Sequence, residues 1–112
     1  MARRDDTHAA VAERFGRNVF RARRQAGLSQ EDLRIRAAVH RTHIGMVERG
    51  LRLARLDTLI KLAGGIEVDP CELLDGLSWS PAGVSPGRFY VAGDKRSSLS
   101  PHDKQGDAES IQ

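Results

Sequence analysis

The sequence predicts an all-α domain of five short helices followed by an irregular tail. Three observations lead there. Through residues 7–77 the apolar residues recur at helical spacing, i, i+3, i+4 and i+7. Capping residues and glycines divide that stretch into pieces of helix length. From Ser78 onward Pro81, Gly83, Pro86, Gly87, Gly93 and Gly106 punctuate a Ser-rich stretch with little helical periodicity.

Asp5, Asp6 and Thr7 offer an N-cap and favourable negative charge to a first helix, along which Val11, Phe15, Val19, Ala22 and Ala26 form the inner stripe before Gly27 ends it. In "SQEDL" Ser29 can cap a second helix, with Asp32 in the capping-box position and Leu33 and Ala37 facing inward. A turn at Ala38 and Val39 leads to a third helix, "HRTHIGMVERG", whose inner stripe is Ile44, Val47 and Leu51, with Gly50 as left-handed C-cap. Leu56, Leu59, Ile60, Leu62, Ala63 and Ile66 mark a fourth, which Gly64 and Gly65 weaken toward its end. Asp69 and Pro70 open a short fifth, "PCELLDGL", where Leu73, Leu74 and Leu77 can seal the core.

These elements place one domain at residues 7–77 and a Pro/Gly/Ser-rich tail at 78–112. Within the tail only "GRFYVAG", residues 87–93, reads as a strand, either an edge segment folding back on the domain or a dimer contact; the end from Asp94 is expected to be disordered. At 112 residues there is room for one modest core. No run is long and apolar enough to span a membrane, and the start lacks the apolar block of a secretory signal, so a cytoplasmic, nucleoid-associated location is expected. Cys71 stands alone, which excludes an intramolecular disulfide.

The net charge of +3 conceals an asymmetry. Residues 1–66 carry 14 basic and 7 acidic side chains, a net +7, and residues 67–112 carry 4 and 8, a net −4. The positive charge therefore sits with the helices, and 15 of the 18 basic residues are Arg, the side chain suited to bidentate contact with phosphate or guanine. On the third helix Arg41, Thr42, Gly45, Met46 and Arg49 occupy the face away from the apolar stripe. A merely solvated face would carry Glu and Lys, whereas this one has a fork-shaped donor, a hydroxyl, a glycine and a thioether. Such a helix can enter a major groove, where Arg41 reads guanine O6 and N7, Thr42 meets a base edge or thymine methyl and Met46 makes apolar contact.

From Val19 to Leu74, through "RARRQAGLSQEDL", "AAVHRTHIGMVERG" and "LDTLIKLAGGIEVDPCELL", the chain resembles the helix-turn-helix family of phage Cro and cI repressors and xenobiotic-response-element regulators. The resemblance implies a five-helix lambda-repressor-like domain, with Gln30–Ala37 as positioning helix and Arg41–Arg49 as recognition helix. It further implies base contacts from Arg41, Thr42, His43 and Met46, a phosphate contact from Gln30, and a structural ion pair between Arg23 and Glu48. His40, Gly45, Arg49, Arg52 and Arg55 are further candidates for the phosphate backbone, with Arg17 and Arg24 as weaker ones. Gly45 reads either as a close approach of DNA or as a tolerated replacement of Ser or Ala. Three positions depart from the family pattern: Arg34 where a small residue is usual, Ala38 where Gly is usual, and His40, a poor cap, where Ser or Thr is usual.

The function expected is a sequence-specific DNA-binding transcriptional regulator, a repressor by the commonest family mode, binding double-stranded DNA as a homodimer because one such helix reads few base pairs. Alternatives are an antitoxin-like or other regulator that holds a protein partner through residues 78–93, and a controller protein of a restriction-modification system. No cofactor is implied. His40, His43 and Cys71 fall short of the four ligands of structural zinc, so no metal is expected, and no spacing suggests a catalytic triad or a phosphate-cradling loop, so neither is an enzyme.

Overall fold

The structure, a computed structural model, describes residues 2–81 and 87–92, with side chains from residue 8 onward. Five helices run in order: α1 Ala2–Gln25, α2 Gln30–Ala37, α3 Arg41–Glu48, α4 Leu56–Ile66 and α5 Pro70–Leu73. Two strands follow, β1 Leu77–Ser80 and β2 Arg88–Val91. The chain divides into two compact units, residues 1–75 and 76–112.

The helical unit closes around Val19, Leu33, Ile44, Val47, Leu62 and Leu73, all fully buried. Its joints are made by local chemistry. At Ser29 the side-chain oxygen accepts from the Asp32 N–H at 2.9 Å while Asp32 Oδ2 accepts from the Ser29 N–H at 2.9 Å, so the shorter Asp completes the capping box. The Ser29 N–H, first, and then the Ser29 hydroxyl, both beside the exposed Asp32 carboxylate, hold it below its ordinary range. Its contribution to stability is therefore present above the unfolded carboxylate range and lost as pH falls through the lower folded value. Acidification from pH 7 to 3 is expected to destabilise the native chain more than Asp32→Ala, read as the difference in their urea midpoints. After α3, Gly50 takes φ +75° and the N–H groups of Gly50 and Leu51 donate to the Val47 and Met46 carbonyls, the paired bonds of a Schellman cap.

Close backbone approach is where glycine matters most. A Cβ on Gly16 would overlap the carbonyl oxygens of Val47 and Glu48, so α1 and the end of α3 touch main chain to main chain. The consecutive Gly64 and Gly65 do not end α4, which continues to Ile66. A Cβ on Gly65 would lie 2.9 Å from both Ala37 Cβ and Leu33 Cδ1, whereas one on Gly64 would meet open space. Gly64→Ala is expected to raise stability by about 0.5–1 kcal/mol through helix propensity. Gly65→Ala is expected to lower it by roughly 1 kcal/mol, overpacking outweighing that same gain. Equilibrium urea unfolding of the two variants gives opposite signs if the packing of α2 on α4 is as described.

Several sequence expectations are corrected. Helix α1 begins at Ala2, ahead of the cap expected at Asp5–Thr7. Ala26 and Leu51 lie outside the core, Leu51 being 63% exposed after the chain turns away at Gly50. Helix α5 stops at Leu73, which alone of the three expected leucines is sealed in: Leu74 is exposed, and Leu77 belongs to β1 because Gly76 at φ +85° reverses the chain. Among the described residues the tail holds two strands rather than one. β1 and β2 pair antiparallel, Leu77 with Val91 and Trp79 with Phe89, and the Ala92 N–H donates to the Gly76 carbonyl at the base of the hairpin. Trp79 and Phe89 meet edge to face at 5.1 Å on one side of that ribbon, opposite Ser78, Ser80, Arg88 and Tyr90. Gly93 and the stretch expected to be disordered lie outside the described residues.

Two buried polar residues of α1 were not anticipated. The Arg14 guanidinium donates to the Asn18 side chain, to the Asp75 carbonyl and to Asp75 Oδ2, and the Asn18 amide donates to the Leu73 and Asp75 carbonyls at 2.9 Å each. Together they supply the hydrogen bonds that the chain leaving α5 would otherwise lack.

Candidate nucleic-acid interface

Helix α3 is fixed from beneath. Ile44 and Val47 are completely buried, and Glu48, at its last turn, reaches back under α1 and α2. The Arg23 guanidinium donates to both Glu48 oxygens, Nε to Oε2 at 2.6 Å and an NH₂ group to Oε1 at 2.9 Å, with the two side chains only 7% and 4% exposed. A third donor of Arg23 reaches the Leu28 carbonyl, and Gln30 Nε2 adds a bond to Glu48 Oε1 at 3.0 Å. The bidentate fork satisfies the buried carboxylate and ties the end of α3 to α1 and to the start of α2. The ion pair expected of Arg23 and Glu48 is thus present. Gln30, expected to face a phosphate, spends one amide hydrogen on that pair and keeps the other.

The outer face of α3 is left open. Arg41 and Thr42 are exposed at its first turn and Arg49 at its end, with Gly45 half-buried between them. A groove runs along this flank, lined by Phe20, Gln30, Arg41, Thr42, Gly45, Glu48 and Arg49. Five residues expected at a DNA surface are brought together there: Gln30, Arg41, Thr42, Gly45 and Arg49. His43 and Met46 do not line it and are half-buried. Arg52 and Arg55 stand exposed in the loop before α4, where Arg55 lies 3.4 Å from its neighbour Asp57.

Local electrostatics poise the arginines without burying them. Glu31, in the first turn of α2, accepts from Arg34 at 2.6 Å and lies 3.9 Å from Arg41. The hydrogen bond from Arg34 holds the Glu31 carboxyl below the usual carboxylate range. Arg34 therefore turns outward, its side chain 44% exposed, and does not disturb the crossing of the two motif helices.

The remaining departures are resolved in different ways. Ala38 does occupy the left-handed region at φ 57°, so an alanine bears the strain that glycine would avoid, about 1 kcal/mol. His40 proves to be a cap after all, its Nδ1 accepting from the Thr42 N–H at 3.2 Å. That bond requires an unprotonated Nδ1 and leaves the opposite ring nitrogen as an N–H donor aimed away from the cap.

One residue of the groove escaped sequence reasoning. Phe20 is 43% exposed, and the guanidinium carbons of Arg23 and Arg24 both lie 5.4 Å from its ring centroid. The available signal was an aromatic one position off the inner stripe, among Arg17, Arg21 and Arg24.

Among the described residues no three His, Cys, Asp or Glu side chains gather as a metal site, and no helix is long and apolar enough to cross a membrane. Cys71 is exposed, and the Asp69 carboxylate pushes its thiol pKa up, away from nucleophilic use.

Residues 19–73 match the model of the family described as Helix-turn-helix. The chain is 39% identical over 62 residues to control protein C.BamHI of Bacillus amyloliquefaciens, a stretch covering 54% of this chain and 76% of that protein. It is 34% identical over 69 residues to the HTH-type transcriptional regulator y4dJ of Sinorhizobium fredii, covering 62% and 90%. Among solved structures, the restriction-modification controller protein C.AhdI from Aeromonas hydrophila superposes with a TM-score of 0.56 at 38% identity, over 57% of this chain and 97% of that one.

Proposed function

Starting from the fact that this chain belongs to the helix-turn-helix family of transcriptional regulators, we propose that α3 enters the major groove of double-stranded DNA and reads its operator chiefly through Arg41 and Thr42. The observation that carries this reading is the contrast within one helix. Its inner side chains and terminal carboxylate are locked in place, while the donors on its outer face are free to meet base edges. His43 and Met46 are assigned to base edges farther along, and Gln30, His40, Gly45, Arg49, Arg52 and Arg55 to the sugar–phosphate backbone.

A homodimer on paired half-sites fits the few base pairs that one short helix can read. Support comes from Leu53, Leu56 and Ile60, which are 49%, 71% and 55% exposed along and just before α4, an apolar surface of the kind a second copy would cover. Occlusion of a promoter, and thus repression in the cytoplasm, is the regulatory mode assigned.

Gly45 offers a test of how near the DNA comes. A Cβ there would sit 3.9 Å from the Gln30 amide, an ordinary contact. Gly45→Ala is therefore expected to stabilise the free protein by about 0.5–1 kcal/mol. A simultaneous loss of operator affinity in a gel-shift titration would place a strand against that position, and unchanged affinity would make the glycine a mere replacement.

Two observations favour narrower readings. The similarity to C.BamHI and C.AhdI favours a controller of a restriction-modification system. The hairpin, lying beyond the matched residues with Trp79 and Tyr90 55% and 47% exposed, favours a protein partner held there, as in an antitoxin-like regulator. The experiment for the main reading is selection of bound sequences from random duplex DNA by the purified chain. A consensus with repeated half-sites supports it, and sequence-blind binding overturns it.

A further inference from the structure

We propose that Phe20 is a sugar-contacting residue of this interface, its partly exposed ring lining the groove beside α3 and receiving a deoxyribose of the strand that runs there. The inference rests on the DNA-binding reading. A helix inserted in the major groove has a sugar–phosphate strand on either flank, because those strands are the groove's walls. On one flank the wall must pass the groove that Phe20 shares with Gln30, Arg41, Thr42, Gly45 and Arg49.

The chemistry of that groove is divided in a way that suits a nucleotide backbone. Hydrogen-bond donors for phosphate oxygens line it, and among them stands a partly exposed aromatic ring that no phosphate can use. What an aromatic ring accepts, at its edge or on any face that the Arg23 and Arg24 guanidinium groups leave uncovered, is the apolar C–H surface of the ribose between two phosphates. Core packing does not account for the ring, since Val19 beside it is fully buried and Phe20 points off that stripe. The ring is also held in orientation. Arg23 is fixed by its bidentate pair with Glu48 and lies over the ring, and Arg24 lies at the same distance. Ordering costs that a flexible side chain would incur on binding are thus already met in the free protein.

The test is hydroxyl-radical footprinting, which cleaves exposed deoxyriboses, with the full chain on its selected operator. Native protein is compared with Phe20→Ala, Phe20→Tyr and Arg41→Ala. Phe20→Ala is expected to unprotect one or two sugars within an otherwise intact footprint and to weaken binding by about five- to tenfold, the order expected for losing half a ring of buried apolar surface. The dependence of affinity on salt stays as it was because no phosphate contact is removed, and Phe20→Tyr restores the protection. Unchanged protection in Phe20→Ala overturns the proposal. So does an even weakening across the whole footprint together with a lowered unfolding midpoint, which would mean that the ring only shields the Arg23–Glu48 pair. If the native chain gives no positioned footprint on any selected duplex, the DNA-binding reading itself fails and takes this proposal with it.

Discussion

Glu48→Ala is expected to cost on the order of 3–5 kcal/mol of folding stability, the penalty for stranding one partner of a buried ion pair. Glu48 accepts three hydrogen bonds, two from Arg23 and one from Gln30, and its side chain is only 4% exposed. Without it the Arg23 guanidinium, its side chain 7% exposed, keeps among the described residues the Leu28 carbonyl and the ring of Phe20 for its charge. Helices α1 and α3, which carry the two partners, touch backbone to backbone at Gly16. Against a total stability of about 5–15 kcal/mol for a small domain, such a loss would leave a sizeable unfolded fraction at room temperature. Urea unfolding followed by circular dichroism measures it. A double substitution, Arg23→Met with Glu48→Leu, is expected to recover most of the loss, since apolar residues of similar volume replace a buried pair at little net cost. A Glu48→Ala loss below about 1 kcal/mol would mean that the pair is solvated after all.

The reach of the sequence differs between local and distant chemistry. Helices α2 and α3 could be placed closely because their limits are set by neighbours: Ser29 and Asp32 cap one another, and Gly50 supplies the positive φ that ends α3. The end of α5 could not, because Leu73, Leu74 and Leu77 keep a helical spacing that Gly76 overrides. Strand β1 is four residues long with alternating serines, a pattern too short to announce itself until β2 lies beside it. Arg14 and Asn18 were invisible as core residues because their partners stand 55 to 61 positions away. In the site, Arg41 and Thr42 could be singled out from the unusual face they share. The ion pair entered through family resemblance, as nothing in the spacing of Arg23 and Glu48 requires contact. Phe20 was missed because one exposed aromatic is ordinary on a protein surface, and only its place on the flank of α1 that borders the groove along α3 gives it meaning.

Arg41→Ala is expected to reduce operator affinity by roughly 1–3 kcal/mol and to relax preference at one base pair per half-site, leaving the fold intact. The fold is spared because Arg41 is exposed and the ion pair it makes among the described residues, to Glu31 at 3.9 Å, lies between two solvated side chains where such contacts count for little. For the same reason the guanidinium can leave Glu31 for a guanine at small cost. Arg52→Ala is the proper counterpart. Exposed in the loop after α3, Arg52 is assigned to a phosphate, so its removal is expected to weaken every sequence alike and to lower the salt slope by about one. Titrating the selected operator and a single-base variant against both mutants, at two salt concentrations, separates the two kinds of contact. If Arg41→Ala weakened both duplexes equally and took a unit from the salt slope, Arg41 would be a backbone contact. Base reading would then pass to Thr42, His43 and Met46, with α3 lying farther out of the groove than its exposed first turn suggests.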